Sequence, residues 1–333
     1  MKAYKDLTQA GRLRRLHALA RAALAQYDLE DPQMEYFAFE TNLLYKVRTR
    51  SGAQFMLRLA SPGWRTFEDL RSEALWLAAL HQDTSIPVPW IVPARSGEYV
   101  LPMQSPAVPQ ARSASLMTWV PGRLLGKSLT EANLEKMGAL FAALHTHGKA
   151  WQPPAGFTTR RFEHWLSRGE PNLVVGEAGA QSLPPPLYDL IERTHQHVEA
   201  AYAALDRTDL RVIHCDLWHD NIKVHKGVLY PLDFEDTVWG FRAHDIAMAM
   251  LDLLETVGQE RYAVLLGSFR RGYSVGMDWP EDPLEVFQIG RLLWKLNWVA
   301  RFQPQRLVTF AGAHAPVLEH FEKTEKVLKP PTW

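Results

Sequence analysis

The most constraining feature of this sequence is a short apolar run followed by a polar loop, in the segment Arg211–Met250. The segment reads RVIHCDLWHDNIKVHKGVLYPLDFEDTVWGFRAHDIAMAM. Val212 and Ile213 predict a buried strand, and the polar residues of His214–Asn221 predict a loop at its end. A chain that carries such a loop needs a core able to bury the strand before it, so we expect a globular α+β domain here.

A hairpin is predicted directly after this loop. The runs Ile222–His225 and Val228–Leu232 are joined by a Lys-Gly turn and lead the chain to Asp233. We therefore expect Asp216, Asn221 and Asp233 to meet at one end of a small sheet. One carboxylate would face an acceptor hydroxyl, while the other carboxylate and the amide oxygen would hold Mg²⁺. This arrangement indicates phosphoryl transfer.

Composition excludes several other classes of protein. The chain has 333 residues, of which 47% are hydrophobic and 22% charged, as in ordinary globular enzymes. Lys plus Arg equals Asp plus Glu at 37 each, which removes the bulk electrostatic reason to expect a nucleic acid or an anionic membrane as partner. The single cysteine, Cys215, cannot form an internal disulfide, and no apolar run is long enough to span a membrane. We expect a cytoplasmic protein.

The pattern along the chain predicts two lobes. An N-terminal helix with an apolar face is interpreted as a docked helix rather than a transit peptide. Period-two runs at Leu44–Arg48 and Gln54–Leu59 predict a hairpin, a helix follows over Thr66–His81, and a second hairpin is expected at the turn Arg95-Ser96-Gly97. We expect a small antiparallel-sheet lobe over residues 1–120 and a larger, mainly helical lobe over 121–333. The predicted helices of the second lobe are Leu134–His147, Leu187–Leu205, His244–Leu254 and Pro283–Arg301.

These motifs together resemble the aminoglycoside phosphotransferase and choline kinase-like family, which has a two-lobed protein-kinase-like fold. The signature is H-x-D-x-x-x-x-N, then an apolar residue with D-F-[DE], then D-[IL]-A. The matching residues are His214, Asp216, Asn221, Asp233, Phe234, Glu235 and Asp245-Ile246-Ala247. The resemblance extends into the first lobe at Asn42-Leu43-Leu44-Tyr45, Met56-Leu57-Arg58-Leu59, Ser72-Glu73 and Thr118–Gly122.

The resemblance implies an ATP- and Mg²⁺-dependent kinase that phosphorylates a hydroxyl of a small molecule. It implies that Asp216 accepts the acceptor's proton and that Asn221 and Asp233 coordinate Mg²⁺. Arg58, where such kinases generally have Lys, would bridge the phosphates and Glu73, and His214 and Asp245 would support the loop. The nucleotide loop would contain Asn42, and backbone groups near Met117 and Trp119 would bind adenine.

The acceptor remains open at this stage. Trp218, Trp239 and Trp294 are candidates to stack on a sugar or a cation, and Asp236, Asp252 and Glu255 are candidates to attract an amine. An aminoglycoside, an amino alcohol, a sugar and a protein Ser or Thr are all compatible with the sequence.

Two further hypotheses for the whole chain stay open. The Arg at residue 58 is compatible with a nucleotide-binding pseudokinase. The spacing His214-x-Asp216-x-x-His219 is compatible with a metal-dependent hydrolase.

Overall fold

A computed structural model describes residues 3–166 and 169–331 of the chain and divides them into two compact units. Unit 1 runs to Gly122 and also contains Gln152–Thr159 and Tyr230–Glu235. Unit 2 contains Arg123–Trp151, Arg160–Leu229 and the chain from Asp236 onward. Two short segments from later in the sequence thus belong to unit 1. A division of the chain at a single boundary near residue 120 would leave them out.

Unit 1 is an antiparallel sheet with two helices. Its elements are α1 (Gln9–Leu24), β1 (Gln33–Phe39), β2 (Asn42–Arg48), β3 (Gln54–Ala60), α2 (Phe67–Asp83), β4 (Ile91–Val92), β5 (Val100–Ser105) and β6 (Val108–Thr118). The strand order is β1-β2-β3-β6-β4, and β5 also pairs with β6. The predicted hairpin of β2 and β3 is confirmed, with Leu44 opposite Arg58.

The second predicted hairpin is wrong in its pairing. The turn at Gly97 is present, with a φ of 87°, but β4 and β5 each pair with β6. Strand β4 has only two residues and is followed by Pro93, which has no N–H to donate to a ladder.

Both helices of unit 1 begin at caps that the sequence specifies. At the start of α1, the Thr8 hydroxyl accepts the Gly11 N–H, and buried leucines and alanines of this helix join the core of the sheet. At the start of α2, Thr66 and Asp69 form a reciprocal capping box. These caps fix where each helix begins, and α2 carries Glu73 as one of its buried residues.

Unit 2 is mainly helical, with short strands around the polar loop. Its elements are β7 (Arg123–Leu124), α3 (Glu131–Ala150), α4 (Gly176–Ser182), α5 (Pro185–Ala204), β8 (Arg211–Ile213), β9 (Ile222–His225), β10 (Val228–Pro231), β11 (Val238–Gly240), α6 (Arg242–Val257), α7 (Gln259–Gly276), α8 (Leu284–Phe302) and α9 (Leu307–Thr324). Strand β8 pairs with β11, and β9 pairs with β7 and β10. The last two residues of β10 belong to unit 1.

The expected α+β class, with an antiparallel sheet in the N-terminal part and helices in the C-terminal part, is confirmed. Across residues 3–166 and 169–331, no helix combines the length and the apolar character that crossing a bilayer requires.

Candidate active site

The polar loop that carries Asp216 is held by the first turn of α6. All three residues of β8 are buried, and the loop leaves this strand at His214. Cys215 then adopts a left-handed φ of 66°, and its N–H donates to Oδ1 of Asp245 at 2.7 Å. His214 also contacts the loop, because its Nδ1 accepts the Asp216 N–H at 3.3 Å. Asp245 and His214 therefore position the backbone on either side of Cys215.

Asp245 is itself held by a buried histidine. Its Oδ2 lies 2.9 Å from Nε2 of His145, whose Nδ1 lies 2.9 Å from the Tyr273 hydroxyl. Burial lowers the pKa of His145 and outweighs the opposing effect of Asp245. Burial would raise the pKa of Asp245, but its hydrogen bond with His145 and the Cys215 N–H outweigh this and lower it. The loop is thus anchored by a buried carboxylate that stays ionised.

Asp216 makes polar contacts with one amide and one cation within unit 2. Nδ2 of Asn221 donates to the Asp216 carbonyl at 2.8 Å and to its Oδ2 at 3.1 Å. Because Nδ2 faces Asp216, the amide oxygen of Asn221 is the atom that can coordinate a metal ion. Nη2 of Arg291, on α8, donates to Oδ1 of Asp216 at 3.3 Å. The pairing of Arg291 with Asp216 was not predicted from the sequence.

In unit 1, Arg58 and Glu73 form a buried bidentate ion pair. Nη1 of Arg58 donates to Oε1 of Glu73 at 3.1 Å, and its Nη2 donates to Oε2. Arg58 is 4% exposed and Glu73 is 1% exposed. Burial would lower the pKa of Arg58, but Glu73, Glu235 and Asp233 together raise it above its usual value. The guanidinium therefore stays charged inside unit 1.

Glu235 connects several of these residues, and the sequence analysis gave it no role in the site. Its carboxylate accepts Nδ2 of Asn42 at 2.7 Å and the Trp64 indole N–H at 2.8 Å, and it lies 3.6 Å from Nη1 of Arg58. The available signal was its position in the D-F-[DE] motif, directly after Asp233 and Phe234. A carboxylate that is 6% exposed requires such partners.

Asn42 lies at the start of β2, and both ends of its amide are engaged within unit 1. Its Nδ2 donates to Glu235, and its Oδ1 accepts the Ser61 N–H at 3.3 Å. The structure therefore places Asn42 as a link between β2, the residue after β3, and the turn that follows Asp233.

Asp233 also has a left-handed backbone, with a φ of 58°. Residues held in this region cost free energy and are concentrated at functional sites. The next residue, Phe234, is buried and packs edge-on against Trp76 of α2, with ring centroids 5.5 Å apart. The helix that carries Glu73 and the turn that carries Asp233 are thus packed through the same aromatic pair.

The segment expected to bind adenine lies at the end of β6. Met117 is paired with Met56 of β3 and with Ile91 of β4. The N–H groups of Thr118 and Trp119 donate to carbonyls of Trp90 and Gln54, so the sheet already uses these two donors. The Trp119 ring has Phe37 edge-on at 5.3 Å and the Lys46 ammonium at 4.3 Å.

The tryptophans considered for the acceptor have different surroundings within unit 2. Trp294 stacks under the Arg291 guanidinium at 4.3 Å, next to Asp216. The backbone of Trp239 pairs with β8 and accepts the Phe162 N–H at 2.6 Å, so its main chain is part of the sheet. Trp218 contacts the His219 ring edge-on at 4.9 Å.

The acidic candidates for the acceptor site are each next to a cation. Oδ1 of Asp236 lies 4.0 Å from Nη2 of Arg160. Lys295 lies 3.5 Å from Asp252 and 2.5 Å from Glu255. Asp236 is thus offset by Arg160, whereas Asp252 and Glu255 share the single positive charge of Lys295.

The hydrolase hypothesis has no ligand cluster to support it. Within residues 3–166 and 169–331, no group of three or more His, Cys, Asp or Glu side chains is arranged to hold a metal ion. Nε2 of His219 instead lies 3.2 Å from the Thr256 hydroxyl, and burial lowers the pKa of this histidine.

The residues present fit the ATP and Mg²⁺ that the resemblance implies. Nε of Arg58 is buried, and no acceptor within the described residues lies at hydrogen-bonding distance, which suits a phosphate oxygen. In unit 1, Asp233 has a carboxylate, and in unit 2, Asn221 has an amide oxygen, and both are the kind of hard oxygen atom that Mg²⁺ prefers.

Comparisons with known proteins agree with this architecture. The family model "Phosphotransferase enzyme family" matches residues 34–283, which is more than half of the chain. No curated protein sequence matches the chain. The family match supports the class of small-molecule phosphotransferases. This chain belongs to the phosphotransferase enzyme family.

Solved structures show the same fold at low sequence identity. A microcompartment-associated aminopropanol kinase is 22% identical with a TM-score of 0.72, covering 93% of this chain and 98% of its own. An amicoumacin kinase, in complex with AMP-PNP and Ca²⁺, is 16% identical with a TM-score of 0.77, covering 98% of both chains. A choline/ethanolamine kinase family protein from Mesorhizobium loti is 17% identical with a TM-score of 0.60, covering 95% of this chain and 96% of its own.

Proposed function

We propose that this protein transfers the γ-phosphoryl group of ATP to a hydroxyl group of a small-molecule acceptor. The observation that carries this proposal is the buried Arg58–Glu73 pair, in the same unit as Asp233 and Glu235. A cation fixed in this way by a bidentate carboxylate is suited to hold phosphate oxygens in one orientation. A hydrolase that does not use ATP would not need this phosphate-binding cation.

Each residue has a defined part in the proposed reaction. Asp216 accepts the proton of the acceptor hydroxyl as its oxygen attacks the γ-phosphorus. Arg58 binds phosphate oxygens, and Asn221 and Asp233 hold Mg²⁺, which neutralises phosphate charge when bound. Asp245 and His145 keep the loop in place and do not contact the substrate. We also propose a cytoplasmic location, where ATP is available and the single thiol, Cys215, stays reduced.

The test is ADP release from purified protein with Mg-ATP and a panel of amino alcohols, sugars, hydroxy acids and aminoglycosides. The panel is broad because the similar solved structures have low sequence identity and therefore indicate the fold but not the acceptor. We expect release that depends on an acceptor, and we expect the Asp216→Asn variant to lose about 10²–10⁴-fold in rate because the proton acceptor is gone.

Asp206→Asn is the matched control, because this carboxylate of unit 2 is exposed and only caps a short turn. It should retain the rate. Acceptor-dependent ADP release that is equally fast in Asp216→Asn would contradict the proposal. Tight ATP binding without any turnover would favour the pseudokinase, for which Arg58 in place of Lys is the supporting observation.

A further inference from the structure

The charge that faces Asp216 within unit 2 is positive. Nη2 of Arg291 lies 3.3 Å from Oδ1 of Asp216, and the Arg291 side chain is only 14% exposed. Its guanidinium also stacks on Trp294 at 4.3 Å, which restricts its orientation. A guanidinium held beside the proton acceptor is placed where it can also contact an anionic group of the acceptor molecule.

The other carboxylates near this position are each in contact with a hydrogen-bond donor or a cation. Lys295, one helical turn after Arg291 on α8, lies 2.5 Å from Glu255 and 3.5 Å from Asp252. Burial raises the pKa of Glu255 and outweighs the effect of Lys295. Glu170 accepts the Trp294 indole N–H at 3.0 Å.

Arg291 has donors that suit a planar anion. Its Nη2 is directed to Asp216, whereas its Nε is buried with no acceptor at hydrogen-bonding distance among the described residues. An unsatisfied buried N–H costs free energy that a bound oxygen atom would recover. Two donors of one guanidinium match the two oxygen atoms of a carboxylate.

A small cavity also reaches Arg291. Its wall combines aromatic and apolar groups, among them Phe162, Trp165 and Trp294, with the polar side chains of Tyr202, His244 and Arg291. A cavity of this size admits a single water-sized group, so it can take one ligand oxygen beside Arg291 but not the body of an acceptor.

We propose that the acceptor is a hydroxy acid and that Arg291 binds its carboxylate group. This inference rests on the proposed kinase function and names its substrate class. In the reaction, the acceptor oxygen forms a bond to the γ-phosphorus and the bond from that phosphorus to the β,γ-bridging oxygen breaks. ADP leaves with the electron pair, and the hydroxyl proton goes to Asp216. The product is a phosphorylated hydroxy acid.

The experiment uses acceptors that differ in one terminal group. One set is 3-hydroxypropionate, 1,3-propanediol and 3-amino-1-propanol; the other is 4-(hydroxymethyl)benzoate with the corresponding diol and amino alcohol. Binding to the full chain saturated with Mg-AMP-PNP is measured by calorimetry, and turnover is measured by ADP release. We expect the carboxylate member of at least one set to bind most tightly.

Arg291→Met should weaken binding of the carboxylate member by about 100-fold, because this acceptor loses its ion pair. Binding of the diol, which has no carboxylate, should not change. Arg291→Lys keeps the charge without the planar fork, so we expect a loss of about 10-fold. It also provides a readout if the Met variant does not fold. The control is Arg271→Met, since this exposed arginine of α7 pairs with Glu131 and Glu135.

Three results would overturn the inference. The first is an amino alcohol or diol that binds at least as tightly as its carboxylate counterpart in both sets. The second is an Arg291→Met variant that loses turnover equally with all acceptors while their binding is unchanged, because Arg291 would then act on the transferred phosphate. The third is no detectable binding of either carboxylate. Carboxylate binding that depends on Arg291, but without turnover of any acceptor, would support Arg291 as a carboxylate-binding residue and would count against the proposed kinase function.

Discussion

Cys215 occupies a left-handed backbone conformation, which glycine adopts easily but L residues adopt only at a cost in free energy. Its φ is 66°, its side chain is 1% exposed, and its Sγ lies 3.7 Å from Nε2 of His244. A left-handed conformation costs roughly 1–2 kcal/mol in a residue with a Cβ. The strain is retained directly before Asp216, where it turns the Cys215 N–H toward Asp245.

Comparing Cys215→Gly with Cys215→Ala isolates this strain, because both variants lose the same thiol. We expect the Gly variant to be more stable by about 0.5–1 kcal/mol, since the relief of strain exceeds the extra entropy of glycine in the unfolded chain. Urea denaturation of the two variants measures the difference. An Ala variant as stable as the Gly variant would show that the backbone is not strained here.

The residue scale also shows where prediction from sequence succeeds and where it stops. Arg58 and Glu73 were predicted as partners because family motifs mark both positions. Arg291 had no predicted role, since nothing in its helical spacing indicates a partner 75 residues away. Glu235 stands in a motif, but its contacts with Asn42 and Trp64 depend on packing between distant segments.

At the scale of elements, α3 and α7 pack with their backbones in direct contact. A Cβ added at Gly138 of α3 would lie 1.9 Å from the Phe269 carbonyl oxygen, and one at Gly272 of α7 would lie 1.8 Å from that of Glu135. The same two helices bring His145 to Tyr273, and His145 holds Asp245. The spacing of these helices therefore supports the catalytic loop.

Gly272→Ala should destabilise the protein by about 3 kcal/mol or more, because a backbone carbonyl must move to admit the methyl group. Gly267→Ala on the same helix is the control. Its added Cβ meets only the end of Arg271 at 4.0 Å, so we expect no loss and a gain of up to about 1 kcal/mol from helix propensity. Thermal denaturation measures both, and similar melting temperatures for the two variants would contradict this account of the α3–α7 contact.

Element bounds were predicted well where local chemistry sets them. The helix expected over Thr66–His81 from its periodicity is Phe67–Asp83 in the structure, where the capping box of Thr66 and Asp69 sets its start. The strand pairing around Gly97 was not predictable in the same way. A tight turn indicates that the chain reverses, but it does not indicate which strands pair, and both β4 and β5 pair with β6 rather than with each other.

At the scale of the whole molecule, unit 1 includes Tyr230–Glu235, far along the chain from its sheet. Local periodicity predicts strands and helices, but it does not indicate which distant segments of the chain pack into the same unit. The resemblance to a known family predicted that Asp233 and Arg58 act together. Both residues lie in unit 1, where Asp233 is one of the carboxylates that raise the pKa of Arg58.

Three buried histidines should make the whole protein sensitive to mild acid. His145, His219 and His314 are at most 3% exposed, and burial is the largest cause of the lowered pKa of each. Below pH 6.5 the unfolded chain therefore binds protons that the native chain does not, and the free energy of unfolding falls as the pH falls. Glu255, whose pKa burial raises, opposes this trend only near and below its own titration range.

Between pH 7.5 and 5.5 we expect each of these histidines to remove about 1 kcal/mol from the free energy of unfolding. His314→Leu should reduce the pH dependence by that share, because it removes one imidazole that the native state keeps neutral. Phe310→Leu, which disturbs the ring packed 4.2 Å from His314, should lower stability equally at both pH values. Urea titrations at the two pH values measure these changes. If the His314→Leu variant retains the full pH dependence of the parent chain, the acid sensitivity comes from groups other than this buried imidazole.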